Sequence, residues 1–276
     1  MLSGITGSAE PDIAPDTFEV IGRILKARSG FTLEGYKDKC VKRRIHIRVR
    51  ATHSPSPEAY GELLGQSTAE QDHLLRVLTI HVSHFFRNPS AYEKIGAEIL
   101  PQLLAERDGV RLMSVGCAGG EEPYTLALIA KERFPEALAE GRVSIGGVDV
   151  DAAILEQARG ALYHPDRLAE VPPELLARWF VPEGERFRLH EEIRRLVCFS
   201  QADLNHQQGW PTCDLILCRN VLIYFERERQ ETILNGFADA LAPGGYLVLG
   251  KSETLFGTAR KRFPTVCPVE RIYRAI

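Results

Sequence analysis

The feature that most constrains the fold is an alternation, from about residue 110 onward, between short apolar runs and segments with helical periodicity. Strands that alternate with helices form βαβ units, whose strands assemble into a parallel sheet. The runs are apolar almost throughout, as expected for strands that are buried on both faces. The predicted strands are RLMSVGC, VSIGGVDVD, CDLILCRNV and the end of APGGYLVLG, and the predicted helices are EEPYTLALIAKERF, AAILEQARGALY and ERERQETILNGFADAL. The sequence therefore predicts an α/β fold with a largely parallel sheet.

The N-terminal part has a different pattern, in which apolar residues recur every three or four positions as in amphipathic helices. Ser67 and Glu70 have the spacing of a capping box, which marks the start of one of these helices. The first residues are polar and rich in proline, and we expect them to be frayed. The sequence predicts three regions, namely a flexible N-terminus at residues 1–16, a helical domain at 17–80 and an α/β domain at 81–276.

One segment interrupts the alternation of strands and helices. Phe187 and Leu189 alternate with polar neighbours, and an apolar stretch continues at residues 196–199. This pattern predicts a small antiparallel β-subdomain, inserted at about residues 181–199. Insertions of this kind carry specificity more often than chemistry.

Charge and composition limit the classes of partner. The chain of 276 residues is 44% hydrophobic and carries a net charge of −3, which disfavours general binding to nucleic acids. One local exception is YKDKCVKRRIHIRVR at residues 36–50, which holds seven Lys or Arg and one Asp. Its apolar residues recur every four positions, so we expect an amphipathic helix with a basic face. That face suits an acidic protein surface, a nucleic acid or solvation alone.

Neither a metal site nor a membrane segment is expected. The six cysteines form no C-x-x-C pair and the eight histidines show no metal-ligand spacing, so buried, reduced thiols are predicted. No apolar run approaches the roughly 20 residues of a membrane helix. The N-terminus lacks the basic and apolar regions of a signal peptide. We therefore expect a cytoplasmic protein.

A glycine-rich turn between the first predicted strand and its helix marks the candidate ligand site. Gly116, Gly119 and Gly120 allow the backbone to approach a ligand closely. Glu121 and Glu122 at the helix N-terminus would repel a pyrophosphate, and the turn lacks the lysine of a P-loop. Two carboxylates instead suit S-adenosylmethionine, which has a sulfonium, an ammonium group and ribose hydroxyls. Alternatively, both glutamates do no more than stabilise the helix N-terminus.

Further candidate ligand contacts lie where other predicted strands end. Asp149, at the end of the second strand, is placed to accept hydrogen bonds from ribose hydroxyls, whereas Asp151 is expected to cap the next helix. Asp203 could accept a hydrogen bond from the adenine amino group. Arg219 and Asn220 end a strand in the middle of the sheet. Ligands of open α/β sheets bind at the carboxyl ends of the strands, where Asp149, Arg219 and Asn220 are predicted to lie, whereas Asp203 precedes the strand CDLILC.

Together with IHVSHFFRN, which places Arg87 beside two aromatic residues ahead of the sheet, these stretches resemble the bacterial chemotaxis receptor methyltransferases, the CheR family. The similarity covers nearly the whole chain through SHFFRN (83–88), GCAGGEEPYTLA (116–127), DVDAAILEQAR (149–159), CDLILCRNVLIYF (213–225) and APGGYLVLGKSETL (242–255). Members of this family use S-adenosylmethionine to convert receptor glutamate side chains into γ-methyl esters. The resemblance implies a class I methyltransferase domain with a Rossmann-like sheet, a small all-helical N-terminal domain and an inserted antiparallel β-subdomain.

The resemblance also implies the site residues. Arg87 and Tyr224 fall where the family lines the methyl-transfer site. Two stretches depart from the family pattern, because His81-Val82-Ser83 stands for N-x-T and GCAGGEE for GCSTGEE. Asp203 stands where the family often has Asn. The implied cofactor contacts are His81, Ser83, Arg87, Glu121, Asp149, Asp203, Leu204, Arg219, Asn220 and Val221.

The expected activity is S-adenosylmethionine-dependent methylation of glutamate side chains on a chemotaxis receptor, with S-adenosylhomocysteine as the second product. Arg43, Arg44 and Arg48 are predicted to contact the cytoplasmic domain of the receptor, and the β-subdomain is a candidate docking surface for a receptor tail. One alternative is a nucleic-acid methyltransferase of the same fold, although residues 219–222 lack the prolines of a [DN]-P-P-[YF] stretch. Another alternative is a non-catalytic signalling module that binds the cofactor.

Overall fold

The computed structural model describes residues 12–79, 82–205 and 210–276, which divide into two compact units with the boundary after Ile80. Most of the predicted flexible N-terminus, residues 1–11, lies outside the described residues. The described part of the first unit contains four helices, α1 (Pro15–Ser29), α2 (Asp38–Ala51), α3 (Pro57–Gln66) and α4 (Thr68–Thr79). Fully buried apolar side chains from all four helices form its core, among them Ile21, Leu25, Ile45, Leu64 and Leu74.

Local hydrogen bonds fix the helix starts in this unit. The Ser56 hydroxyl caps α3 by accepting a hydrogen bond from the Ala59 N–H at 3.2 Å. The Ser67 hydroxyl accepts from the Glu70 N–H at 3.2 Å, which forms one half of the predicted capping box. The Glu70 carboxylate accepts instead from the Tyr60 hydroxyl at 2.9 Å and from an arginine of α2.

Two of the three arginines predicted to contact a receptor, Arg44 and Arg48, have structural partners. The prediction is wrong for Arg44, whose side chain is buried, and stays a prediction for the partly exposed Arg48. Arg44 is buried, and its Nη1 donates to the Leu78 carbonyl oxygen at 2.5 Å. The Arg48 guanidinium donates to both carboxylate oxygens of Glu70, at 2.8 and 2.6 Å. Both side chains flank the apolar face of α2 and therefore reach α4. Arg43 is exposed, and its contact with a partner stays a prediction.

The second unit is an α/β domain. The main sheet has the strand order β6-β2-β1-β7-β8-β10-β9 in the described residues, and its first five strands pair in parallel. In chain order its elements are α5 (Pro89–Lys94), a π-helical turn (Ile95–Ile99), α6 (Leu100–Glu106), β1 (Val110–Val115), α7 (Glu121–Arg133), α8 (Pro135–Ala139), β2 (Val143–Asp149), α9 (Ala152–Gly160), β3 (Leu162–Tyr163), α10 (Pro173–Trp179), β4 (Phe180–Glu183), β5 (Arg186–Leu189), α11 (Glu191–Arg194), β6 (Val197–Gln201), β7 (Cys213–Cys218), α12 (Arg227–Ala240), β8 (Leu241–Leu249), α13 (Ala259–Arg262), β9 (Thr265–Cys267) and β10 (Ile272–Arg274), with 3₁₀ turns at Pro165–Leu168 and Leu222–Tyr224.

The central strands explain the apolar runs in the sequence. Every residue of β7 is buried, because helices cover both faces of a sheet whose parallel strands are joined by crossover connections. The strand β10 pairs antiparallel with β8 on one side and with β9 on the other, and β9 lies at the edge of the sheet. The predicted α/β sheet is therefore confirmed.

The predicted β-subdomain exists, but its boundaries differ from residues 181–199. The small antiparallel sheet has the order β3-β5-β4, so it begins with residues 162–163 and ends with residues 186–189. Residues 197–201 form β6 and pair in parallel with β2, with Val197 opposite Ile145. The apolar run at residues 196–199 comes soon after residues 187–189, and a short apolar run does not distinguish an edge strand of the main sheet from a strand of the insertion, which explains the error.

Candidate active site

The carboxyl ends of β1, β2, β6, β7 and β8 lie at one edge of the main sheet, which is where ligands bind in open α/β folds. Most of the predicted site residues follow these ends directly. Glu121 opens the helix after β1, and Asp149 is the last residue of β2. Asp203 follows β6, and Asn220 follows β7. The topology therefore brings together residues that are distant in sequence.

The turn after β1 needs its glycines because other chain segments approach it closely. Gly116 has a φ of 68°, and a Cβ added there would lie 2.5 Å from Cγ2 of Val221. A Cβ at Gly119 would lie 3.0 Å from Oε2 of Glu121. A larger residue at position 116 would thus clash with Val221, and one at position 119 would crowd the Glu121 carboxylate.

Glu121 is a buried acid whose hydrogen-bonding capacity is only partly used. Its side chain is 4% exposed, and its Oε2 has no hydrogen-bond partner among the described residues. Burial raises the pKa of Glu121 to about 7, while a backbone hydrogen bond and the Arg167 guanidinium at 3.5 Å oppose the rise. A cationic donor from a ligand would satisfy this carboxylate.

Asp149 connects the second strand to the glycine turn. Its Oδ2 accepts a hydrogen bond from the Ala118 N–H at 2.9 Å, and its Oδ1 accepts from the Asp151 N–H at 3.1 Å. Each carboxylate oxygen can accept a further hydrogen bond, so binding of ribose hydroxyls stays a prediction. Asp151 accepts from the Ala153 N–H at 2.8 Å and caps α9, as predicted.

Glu122 has a different role from its neighbour. Its Oε1 accepts from the Ser114 hydroxyl at 2.8 Å and its Oε2 from the Tyr92 hydroxyl at 3.3 Å, inside the domain. Burial raises the pKa of Glu122, and the Arg219 guanidinium, 3.6 Å away, opposes the rise. The two adjacent glutamates therefore differ, because Glu122 is held by protein groups.

Arg219 was predicted as a cofactor contact, but its side chain binds protein groups. It is only 4% exposed. Its Nη2 donates to the Arg87 carbonyl oxygen at 2.8 Å and to Oδ1 of Asn88 at 2.7 Å. Its Nη1 donates to the Tyr92 hydroxyl at 3.2 Å, and its guanidinium lies 5.3 Å from the centre of that ring. Its Nε has no hydrogen-bond partner among the described residues, so a cofactor contact through that atom or the backbone stays a prediction.

Glu253 is a residue that the sequence reasoning missed. Its buried carboxylate accepts hydrogen bonds from four backbone N–H groups, those of Gly250 at 2.6 Å, Asn220 at 2.9 Å, Val221 at 2.9 Å and Leu222 at 2.8 Å. It thereby fixes the loop that follows β7, in which Asn220 has a φ of 62°. Its position in GKSETL, one of the stretches that carry the family resemblance, was the available signal.

The two predicted methyl-transfer residues are both partly exposed. Arg87 donates from Nη1 to the Val82 carbonyl oxygen at 3.3 Å, and no carboxylate among residues 12–79, 82–205 and 210–276 pairs with it. Tyr224 lies in the 3₁₀ turn after β7, and its N–H donates to the Val221 carbonyl oxygen at 3.2 Å. The contact between Arg219 and Arg87 brings the two segments together.

The remaining predicted contacts are placed as follows. The Ser83 carbonyl oxygen accepts a hydrogen bond from Arg167, the residue that also approaches Glu121. Asp203 accepts from the Asn205 N–H at 2.8 Å through Oδ1, and Leu204 beside it is half-buried. His81 lies outside the described residues.

The chemistry of these groups fits S-adenosylmethionine. Carboxylates, backbone carbonyls and a glycine turn favour a ligand with positive charge and hydroxyl donors, and they would repel a phosphate. In the part of the chain that the structure describes, no group of three or more His, Cys, Asp or Glu residues is arranged to hold a metal ion. No helix in the same residues is both long and apolar enough to cross a membrane.

The open α/β sheet and this acidic, glycine-lined site define an S-adenosylmethionine-dependent methyltransferase. The chain belongs to the CheR methyltransferase family. The model of its SAM binding domain matches residues 81–270, and the model of its all-alpha domain matches residues 16–79. These matches confirm the resemblance, the fold class and the cofactor predicted from the sequence.

Proteins named as chemotaxis protein methyltransferases are similar in sequence to this chain along most of their length. The chain is 30% identical to the chemotaxis protein methyltransferase of Listeria innocua, over 90% of this chain and 94% of that protein. It is 30% identical to chemotaxis protein methyltransferase 2 of Vibrio cholerae, over 83% of this chain and 82% of that protein. An uncharacterised 104.1 kDa protein of Rhodobacter capsulatus is 32% identical over 94% of this chain, which spans only 28% of that protein.

Proposed function

We propose that the chain transfers methyl groups to glutamate side chains in the cytoplasmic domain of a chemotaxis receptor, which converts them into γ-methyl esters. The observation that carries the proposal is Arg87, a half-buried arginine at the ligand edge that has no carboxylate partner among the described residues. A substrate carboxylate is a suitable partner for such a guanidinium. The names of the relatives from Listeria innocua and Vibrio cholerae support the same substrate class.

The cofactor would be held mainly by acceptors. Glu121 suits its ammonium group, Asp149 its ribose hydroxyls and Asp203 its adenine amino group. The backbone of Asn220 and Val221, fixed by Glu253, would complete the binding surface. When bound, S-adenosylmethionine supplies a methyl group that is activated by the neighbouring sulfonium.

The proposed reaction requires no general acid or base from the protein. A glutamate has a pKa of about 4.3, so it is ionised at neutral pH and no base has to remove a proton. The Arg87 guanidinium offers a planar pair of donors to the carboxylate oxygens. Tyr224 would hold the second oxygen or shape the pocket. Catalysis would then rest on positioning and on compensation of the buried substrate charge.

Two surfaces are proposed to recognise the receptor in the cytoplasm. Arg43 on α2 is exposed and is proposed to contact an acidic receptor surface. The strand β4 lies at an edge of the small sheet, and Val181 on it is 54% exposed. An extended receptor tail could add a strand at this edge, a common mode of peptide recognition.

The test is methyl transfer from radiolabelled S-adenosylmethionine to a purified receptor cytoplasmic domain. We expect base-labile label on glutamate. In a receptor variant in which the labelled glutamate is changed to glutamine, that position should carry no label. Arg87→Ala should lower kcat about 10²-fold or more, while the affinity for S-adenosylhomocysteine changes far less. Arg87→Lys should restore little, because a single ammonium cannot reproduce the planar fork.

Two results would contradict the proposal. Label that is base-stable and resides on nucleic acid would identify a nucleic-acid methyltransferase. Tight binding of S-adenosylhomocysteine without transfer to any receptor domain would identify a non-catalytic module. Wild-type kcat in Arg87→Ala would remove Arg87 from the mechanism and leave Tyr224 as the main candidate.

A further inference from the structure

The segment that carries Arg87 has an unusual backbone. Phe86 has a φ of 53° and Asn88 has a φ of 60°, so both neighbours of Arg87 are in a left-handed conformation that L-residues rarely adopt. Such conformations persist only where surrounding contacts determine them. The contacts around this segment therefore determine the position of the Arg87 backbone, from which its side chain extends.

Three groups from distant parts of the domain hold the segment. The Phe86 N–H donates to the Thr125 hydroxyl at 3.1 Å, and the Asn88 N–H donates to the Glu170 carboxylate at 3.1 Å. Arg219 makes the third contact, through the Arg87 carbonyl oxygen and the Asn88 side chain. Of these three groups, only Arg219 contacts the backbone of Arg87 itself.

Arg219 is in turn fixed from the opposite side. Its Nη1 lies 3.2 Å from the Tyr92 hydroxyl and 3.6 Å from Oε2 of Glu122. Glu122 is held by Ser114 on β1, so the contacts run from a central strand of the sheet to residue 87. A buried ion pair adds little net stability compared with apolar side chains of similar volume, and in some proteins its role is to specify geometry.

We propose that Arg219 is a positioning residue for methyl transfer, which aims the Arg87 guanidinium by holding the backbone of residues 87–88 and is itself anchored by Glu122. This inference rests on the proposed function, because it assumes that Arg87 orients the substrate carboxylate.

A double-mutant cycle on the 276-residue chain tests the inference. Arg219→Met should lower kcat about tenfold or more, while calorimetric affinity for S-adenosylhomocysteine changes less than about threefold. In the Arg87→Ala background, Arg219→Met should lower kcat by less than about threefold, because the side chain that it positions is gone. Equal losses in both backgrounds would overturn the proposal. A loss of S-adenosylhomocysteine affinity as large as the loss in kcat would assign Arg219 to cofactor binding instead.

Hydrogen exchange gives a readout that does not depend on activity. Arg219→Met should increase exchange in a peptide covering residues 84–92 and leave the peptide that contains β7 unchanged. Asn88→Gly, which keeps the left-handed backbone and removes one acceptor of Arg219, should increase exchange in the same peptide and serves if Arg219→Met does not fold. Unchanged exchange in both variants would overturn the proposal. Failure of wild-type protein to methylate glutamate would refute the proposed function, while the exchange result would still report on the contact.

Discussion

If Glu121 binds the ammonium group of the cofactor, as proposed, cofactor binding should depend on pH. Its pKa is raised from 4.5 to about 7 by burial, so near neutral pH only part of the population carries the charge that an ammonium group requires. We expect the affinity for S-adenosylhomocysteine to increase by up to about tenfold between pH 6 and pH 8, as the carboxyl ionises. Calorimetric titrations at several pH values measure this change. In Glu121→Gln the affinity should be lower and nearly independent of pH over the same range.

The same shift has an opposite consequence for the ligand-free protein. Because the pKa is higher in the folded state than in the unfolded state, the folded state binds more protons, and its stability decreases as pH rises from 4.5 to about 7. Glu121→Gln should remove this part of the pH dependence of stability.

A different outcome would contradict the binding role of Glu121. A wild-type affinity for S-adenosylhomocysteine that does not change between pH 6 and pH 8 would show that Glu121 does not bind the ammonium group.

Asp149 is expected to bind the ribose. Asp149→Ala should weaken binding of S-adenosylhomocysteine by roughly 1.5–3 kcal/mol, the range for hydrogen bonds to charged groups. The substitution also removes the acceptor of the Ala118 N–H, so thermal stability should fall as well. Asp149→Asn is the matched control, because its amide oxygen can keep one of the two backbone contacts. Unchanged calorimetric affinity in Asp149→Ala would refute the ribose role.

Individual residues could be predicted where the signal is local. Asp149 and Asp151 were distinguished from the end of one strand and the start of the next helix, and the capping role of Asp151 is confirmed. Glu122 could not be separated from Glu121 in this way. Its partners Ser114, Tyr92 and Arg219 come together only in the folded sheet. These residues are far apart in the sequence, and no local sequence pattern indicates that they form one buried network.

At the level of elements, the loop from β7 to α12 depends on one carboxylate. Glu253→Gln should lower the free energy of unfolding by about 2–4 kcal/mol, because an amide nitrogen would face backbone N–H groups and leave buried donors without acceptors. Urea denaturation measures the loss. Glu228→Gln, an exposed glutamate in the first turn of α12, is the control and should change stability by less than about 0.5 kcal/mol. Equal stabilities of the two variants would contradict the anchoring role of Glu253.

The helix α2 separates a structural arginine from a candidate recognition arginine. Arg48→Met should destabilise the first unit, because it leaves the buried Glu70 carboxylate without its ion-pair partner. Arg43→Glu should leave thermal stability and S-adenosylhomocysteine affinity unchanged and should raise KM for the receptor. Unchanged receptor kinetics in Arg43→Glu would mean that this face of α2 is only solvated.

Element types followed from the sequence more closely than element boundaries did. The central strand β7 is buried over its whole length and is apolar except for Asp214, the pattern expected for a strand that is covered on both faces. The edge strand β6 begins with a short apolar run close to the insertion, and that run alone does not show which of the two sheets it joins. Likewise, the basic face of α2 was predicted from periodicity, but periodicity does not reveal that Arg44 reaches a carbonyl of α4.

For the whole molecule, the two units have separate apolar cores. One cluster of buried apolar side chains in the second unit runs from Phe85 to Ile272 and contains no residue of α1 to α4. All predicted cofactor contacts lie at residue 81 or beyond. The division of the chain thus assigns cofactor binding to the second unit, and the proposed contact of Arg43 with the receptor belongs to the first.

This division predicts the behaviour of a fragment that contains residues 81–276. Because the cluster is formed by residues of the second unit alone, the fragment should unfold in a single cooperative transition and bind S-adenosylhomocysteine within about threefold of the affinity of the 276-residue chain. Receptor methylation should decrease, with kcat/KM lower by about tenfold, because the basic face of α2 is absent. Circular dichroism, calorimetry and radiolabel transfer measure the three quantities. A fragment that folds and binds the cofactor but methylates the receptor at the full-length rate would exclude α2 from recognition, whereas a fragment that does not fold would show that the second unit depends on the first.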